Sequence, residues 1–282
     1  MTGIIISAVI LMAFLGLILG IIIGAFAKIF RVETDPRVEL VTELLPGANC
    51  GGCGTAGCAD FAKSVVAGIN PPGKCPVCSA EQVTSIAKAL GIEVGSVDKK
   101  KAIVRCGGDV NQTKRSATYI GVADCVSASM VGGGFKGCAS GCLGLGTCAN
   151  KCPFGAIEMI NSLAVIHEEL CVGCGSCVAA CPRGVIQLVP ADAAVHVYCN
   201  SLDKGVDKKK VCNVPCIGCR KCVKAFPDKF IINGFRAEVN YAAEILPTVE
   251  EAESVGCPTG ALLSAVAHLN IEQNNPDWSP AK

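Results

Sequence analysis

Histidine is scarce in this chain of 282 residues: His167, His196 and His268 are the only three, and none sits in an H-E-x-x-H pair. That leaves out the helix-borne zinc hydrolase sites. Aromatics amount to 5%, with a single tryptophan, too little for the stacking platforms that hold single-stranded nucleic acid. Neither charge sign is in excess: 25 basic and 24 acidic residues give a net +1. Domains that bind nucleic acid by bulk charge are clearly basic. No G-x-x-x-x-G-K-[ST] run occurs, so no P-loop is offered. Gly132, Gly133, Gly134 and Gly137 do not open a strand-to-helix turn and read as loop. No nucleophile or proton-transfer constellation is present, which points away from bond chemistry on this chain.

Asp, Glu, Lys and Arg are also missing from Met1 to Ala27. The apolar run Ile4 to Ala27 would be about 36 Å long as a helix at ~1.5 Å per residue. A hydrocarbon core of ~30 Å is spanned with some tilt. Ala25-Phe26-Ala27 resembles a signal-peptidase site, but no basic residue precedes the run and it exceeds an ordinary signal core. It therefore reads as a single-pass anchor. Lys28 and Arg31 follow it, and positive residues stay inside. The bulk of the chain is expected in the cytoplasm, on an inner membrane. Gly16, Gly20 and Gly24 share one helix face, suited to close approach of other membrane helices.

What the chain has in abundance is cysteine, 21 in all. Disulfide scaffolds of that density are short and secreted. Here the cysteines fall in CxxC runs and Cys-Pro endings, which is metal-ligand spacing. Cys50, Cys53, Cys58 and Cys75 form C-x2-C-x4-C-x16-C within Gly-rich text, with Cys78 as a spare. Cys58 to Ala67 is expected to be a helix stopped at Gly68. Ser79 with Gln82 predicts a capping box for a helix to Leu90, closed by Gly91. Four thiolates here suit zinc or a [4Fe-4S] cluster.

An internal repeat follows. Cys171, Cys174, Cys177 and Cys181 give C-x2-C-x2-C-x3-C-P, the bacterial ferredoxin run. Cys138, Cys142, Cys148 and Cys152 form a looser copy. Crossed ligation assigns Cys138, Cys142, Cys148 and Cys181 to one cluster, and Cys152, Cys171, Cys174 and Cys177 to the other. A third copy keeps Cys216, Cys219 and Cys222 but has Phe226-Pro227 where Cys-Pro should stand. A fourth fragment keeps only Cys257-Pro258. These losses remove the same cluster and leave one full set: Cys216, Cys219, Cys222 and Cys257. Of the remaining cysteines, Cys106, Cys125, Cys199 and Cys212 flank the repeat two and two: they form either a fifth site, iron–sulfur before zinc, or plain small buried residues, and Cys212 could instead serve the third copy. Lys99 to Lys101 and Lys208 to Lys210 read as solvated runs, or as docking points for an acidic electron carrier.

The fold class expected is α+β. An N-terminal transmembrane helix (1–30) leads to a small helical four-cysteine module (31–95) and a connecting β-prone segment (96–130). A bacterial-type two-cluster ferredoxin domain (131–198) and a degenerate single-cluster ferredoxin-like unit (199–270) follow, then a polar tail (271–282). With its anchor, the stretch Cys50-Gly51-Gly52-Cys53-Gly54 through Gly57-Cys58-Ala59 with Cys75, and the tandem repeat, the chain resembles the B subunit of the Rnf complex, in its longer anaerobe-type version. That family is a membrane-bound, ion-pumping ferredoxin:NAD oxidoreductase. The resemblance implies a [4Fe-4S] cluster in the first module; with the quartets read from spacing that makes four such clusters, and five if the last site holds one. It also implies soluble ferredoxin as electron donor, the other complex subunits as partners, and flavin and NADH sites elsewhere. A related complex with another acceptor, such as a redox sensor, and a zinc-stabilised membrane adaptor are the alternatives.

Overall fold

The computed structural model describes residues 2–29, 35–94 and 99–264. Residues 31–34, the polar tail (271–282) and His268 lie outside the described residues.

Helix α1 (Thr2–Ile29) is apolar all round, with a mean hydropathy of 3.0 over Ile5–Phe26, and its large side chains are exposed. It is long and apolar enough to cross a membrane. After the gap, Asp35 caps helix α2 (Pro36–Leu44) by accepting from the Arg37 amide, with Pro36 at the first helical position. Helix α3 (Cys58–Val66) and α4 (Ala80–Leu90) flank a 3-10 turn at Pro72–Lys74. The Ser79–Gln82 capping box is formed in both directions, and Gly91 takes the left-handed stop. Val41, Phe61, Val65, Val83 and Ile86 make the core of this module.

Two units with the same element order follow. The first runs β1 (Lys100–Val104), α5 (Cys125–Met130), α6 (Thr147–Asn150), β2 (Ile157–Ile160), β3 (Leu163–Ile166), α7 (Ser176–Ala180) and β4 (Ile186–Pro190). The second runs β5 (Val195–Val197), α8 (Gly205–Val211), α9 (Lys221–Ala225), β6 (Phe230–Asn233), β7 (Arg236–Val239), α10 (Val249–Ser254) and β8 (Leu262–Ser264). In each, the outer strands pair antiparallel (β1 with β4, β5 with β8) and the inner two form a hairpin (β2 with β3, β6 with β7). The first hairpin turns through Asn161 and Ser162, both at positive φ, the twist that a tight hairpin requires.

Strand pairing therefore cuts the chain differently from the sequence reading. β1 lies in the stretch taken as a connecting segment, yet its ladder with β4, Lys100 opposite Pro190 to Val104 opposite Ile186, makes it part of the first unit. β5 lies in the stretch taken as the end of that unit, yet pairs with β8. An edge strand has open N–H and C=O groups, and the nearest matching edge satisfies them whatever the sequence distance. Tyr119 to Cys125, expected to be β-prone, contains no strand. Instead Asp124 accepts from the Ser127 amide and starts α5.

Candidate metal centres

The thiols gather in groups of four, and among the described residues no three His, Cys, Asp or Glu side chains converge tightly enough to grip a single ion. Each of four groups rings a cavity instead. Zinc would draw its sulfurs to about 2.3 Å from one point. Four thiols around an enclosed space suit a polynuclear iron–sulfur cluster; three of the cavities hold no other ligating type, and the fourth is lined by Asp203 and Asp207 as well.

In the helical module, Cys53 and Cys75 are buried in the core and Cys58 packs against it. Burial raises the Cys50 thiol, with Cys174, Cys75 and Cys53 as close neighbours. Cys78 is the fifth cysteine here. Its hydrogen bond to Cys75 holds Cys75 down, to about 6, and pushes Cys78 up. Cys75 is thus prepared as the thiolate, and Cys78 as the thiol that donates to it. Gly52 lies against the next centre: a Cβ there would stand 2.9 Å from the carbonyl of Cys174.

Cys152, Cys171, Cys174 and Cys177 line one cavity with Ala102 and Phe154. Burial pushes Cys177 up to about 12, with Cys171, Cys174 and Cys152 adding to it. The Ala102 amide, on β1, donates to Cys171 Sγ at 3.3 Å. Cys216, Cys219, Cys222 and Cys257 line a second cavity, where the Ala237 amide of β7 donates to Cys216 Sγ at 3.4 Å. Burial takes Cys222 up to about 11, helped by Cys216 and Cys219. Amide donors to a thiolate sulfur stabilise its charge and set a cluster's potential.

The other two groups differ from the sequence assignment by one exchange. Cys125 joins Cys142, Cys148 and Cys181 around a third cavity. Burial raises Cys148 to about 12, with Cys142, Cys125 and Cys181 contributing. Cys138 leaves that set and lines a fourth cavity with Cys106, Cys199 and Cys212. The reason is local anchoring. The amide of Cys125 donates to Thr147 Oγ1 at 2.7 Å, which fixes it beside α6 and its Cys148. Arg183 Nη1 donates to the carbonyls of Cys138 (2.7 Å) and Gly141 (3.0 Å) and holds that turn on the other side. The loose C-x3-C-x5-C spacing of the first copy was the one visible sign that its leading cysteine is out of register.

The lysine runs also depart from expectation. Lys101 and Lys208 are buried, at 6% and 2% exposure, while Lys99, Lys100, Lys209 and Lys210 remain exposed. Lys101 pairs with Glu168. Lys208 Nζ donates to the carbonyls of Cys216 (2.8 Å) and Phe235 (2.9 Å). Lys136, which the sequence did not single out, is buried too and donates to Cys142 O at 2.7 Å and to Gly108 O. His167 and His196 are packing residues: His167 meets Glu158, and His196 Nδ1 lies 2.9 Å from the Tyr241 hydroxyl.

Two family models match: an Fe-S cluster module over residues 45–77 and a 4Fe-4S binding domain over residues 164–187. Among characterised proteins, the B subunit of an ion-translocating oxidoreductase complex from Methanosarcina acetivorans is 43% identical over 85% of this chain and 92% of its own. The B subunit of a proton-translocating ferredoxin:NAD(+) oxidoreductase complex from Clostridium ljungdahlii is 38% identical over 98% of both chains. That of a Na(+)-translocating ferredoxin:NAD(+) oxidoreductase complex from Acetobacterium woodii is 42% identical over 71% of this chain and 61% of its own.

Proposed function

The chain belongs to the family of B subunits of ion-translocating ferredoxin:NAD(+) oxidoreductase complexes, and on that footing we propose that it carries electrons along [4Fe-4S] clusters held by four of its cysteine quartets. It is an iron–sulfur electron-transfer component of such a complex. The quartets are Cys50, Cys53, Cys58 and Cys75; Cys152, Cys171, Cys174 and Cys177; Cys125, Cys142, Cys148 and Cys181; and Cys216, Cys219, Cys222 and Cys257.

The observation that carries the reading is the enclosure of four thiols around each of three cavities, with a backbone amide aimed at a sulfur in two of them. A bound cluster supplies one-electron carriage. The protein supplies the thiolates, buries them away from water and fixes their hydrogen bonds. In this reading α1 anchors the chain in the cytoplasmic membrane beside the other subunits, with the remainder on the cytoplasmic side. Soluble reduced ferredoxin donates the electrons, and the exposed lysines Lys99, Lys100, Lys209 and Lys210 favour approach of an acidic carrier. The two units of like strand order act as a two-cluster ferredoxin and a single-cluster relative of it.

The test is purification from membranes without oxygen, followed by iron and sulfide analysis and a visible spectrum. A brown protein whose broad band bleaches with dithionite is expected. A colourless protein containing zinc would overturn the reading.

A further inference from the structure

We propose that Cys106, Cys138, Cys199 and Cys212 hold a fifth [4Fe-4S] cluster, which links the two ferredoxin-like units; the proposal deepens the electron-carrier reading and rests on it. These four thiols come from four separate segments. Cys106 follows β1, Cys138 lies in the loop before α6, Cys199 follows β5 and Cys212 ends α8. They meet around a cavity of about 220 Å³, against about 20 Å³ for each of the other three. Cys106 and Cys199 are buried and Cys138 and Cys212 half-buried around it.

The surroundings are built for an anion carrying sulfur. Gly108 lies flat against the site: a Cβ there would come within 3.4 Å of Cys212 Sγ and 3.8 Å of Cys106 Sγ, and would collide with Thr113 Cγ2 at 2.5 Å. The amide of Cys142 donates to Cys106 Sγ at 3.4 Å, the same kind of contact that Ala102 and Ala237 make at two other quartets. Two buried ammonium groups flank the cavity. Lys208 lines it, and Lys136 donates to the carbonyl of Gly108 in its wall. Among the described residues neither ammonium makes an ion pair with a carboxylate, and both donate only to carbonyls. Burying such charges is costly unless negative charge lies close by. The Asp203 and Asp207 carboxylates that also line the cavity are engaged by Ser201 and Lys210, and a cluster with four thiolates supplies negative charge beside the two ammonium groups.

Position gives the site its role. Cys142 of one quartet donates its amide to Cys106 Sγ, and Lys208 in the cavity lining donates to the carbonyl of Cys216 of another. Backbone contacts zip the units together here, with the Gly107 amide on Tyr198 O, Lys114 on Val211 O and Asn213 on Gln112 O. Contacts then connect the quartets in the order module, Cys171 group, Cys148 group, junction, Cys222 group. One electron from reduced ferredoxin enters and leaves each position in turn. No bond forms or breaks and no proton is required.

The experiment is iron, sulfide and zinc analysis of the full chain purified in its complex, with spin quantitation after dithionite reduction, for the native protein and for Cys106→Ser and Cys199→Ser. The expected native content is about 20 irons per chain, falling by about four in each variant while the other signals persist. About 16 irons in the native protein, or about 16 with one zinc, would overturn the fifth cluster and leave the electron-carrier reading standing. Zinc throughout would overturn that reading itself. Should the serine variants not accumulate, the native count decides alone.

Discussion

Asp124 accepts from the Ser127 amide at 2.8 Å and from Thr147 Oγ1 at 2.7 Å, and Thr147 Oγ1 in turn accepts from the amide of Cys125. This chain of polar contacts is what seats Cys125 with Cys142, Cys148 and Cys181. Cys125→Ser is therefore expected to cost about four irons per chain, whereas Cys78→Ser should cost none, since Cys78 only donates to a ligand. Iron analysis of both variants checks the pair, and equal losses would contradict the grouping. Lys208 makes a second case. Its ammonium contacts the carbonyl of Cys216, and a positive charge there favours the reduced, more negative state of that quartet's cluster. Lys208→Met should shift that potential downward by on the order of 50 mV, close to the 59 mV that corresponds to a tenfold change for one electron. An EPR-monitored redox titration measures it, and an unchanged or raised potential would refute the charge argument.

Helix α4 illustrates how local chemistry supports a centre that it does not ligate. Its capping box satisfies the first amides, and Val83 and Ile86 then reach the core that holds Cys53 and Cys75. Ser79→Ala should destabilise the module by about 1 kcal/mol, read as a lower denaturant midpoint with the same slope. Gly173 shows a different dependence. It sits at φ 69°, and a side chain there would run into the carbonyl of Lys100 on β1. Gly173→Ala must push apart β1 and the Cys171–Cys174 loop, so loss of the iron held by that loop is expected. A variant with full iron content would show that the strand gives way more easily than its pairing with β4 suggests.

The molecule joins one fully apolar helix to a body whose cysteines are mostly buried or half-buried. If α1 spans the bilayer, the chain should stay with membranes through a high-pH carbonate wash and be released by detergent. Cleavage in the 30–34 stretch should then free the body with its iron. Release by carbonate alone would mean that the helix only lies against the complex. Within the body the Gly52 contact sets the helical module on the first unit, and Arg236 Nη1 donating to Asn200 O ties the second unit to the junction. These contacts hold the module and the two units against one another.

Everything that depends on a few neighbouring residues was readable in the sequence: the apolar span, the Ser79 and Gly91 helix stops, the C-x2-C-x2-C loops and the surviving Cys257. Ligands within one loop are constrained by chain length alone, so their spacing carries the chemistry. The partners of Cys125 and Cys138 were not readable, because no short-range spacing ties either of them to its cavity. Two side-chain contacts far along the chain, Thr147 to one and Arg183 to the other, decide them. The same holds for β1 and β5, whose open edges find strands about 60 to 90 residues away, and for Lys101 and Lys208, which turn inward from runs that look solvated. A charge is buried only where the finished fold places acceptors or opposite charge around it, and no local pattern specifies that placement.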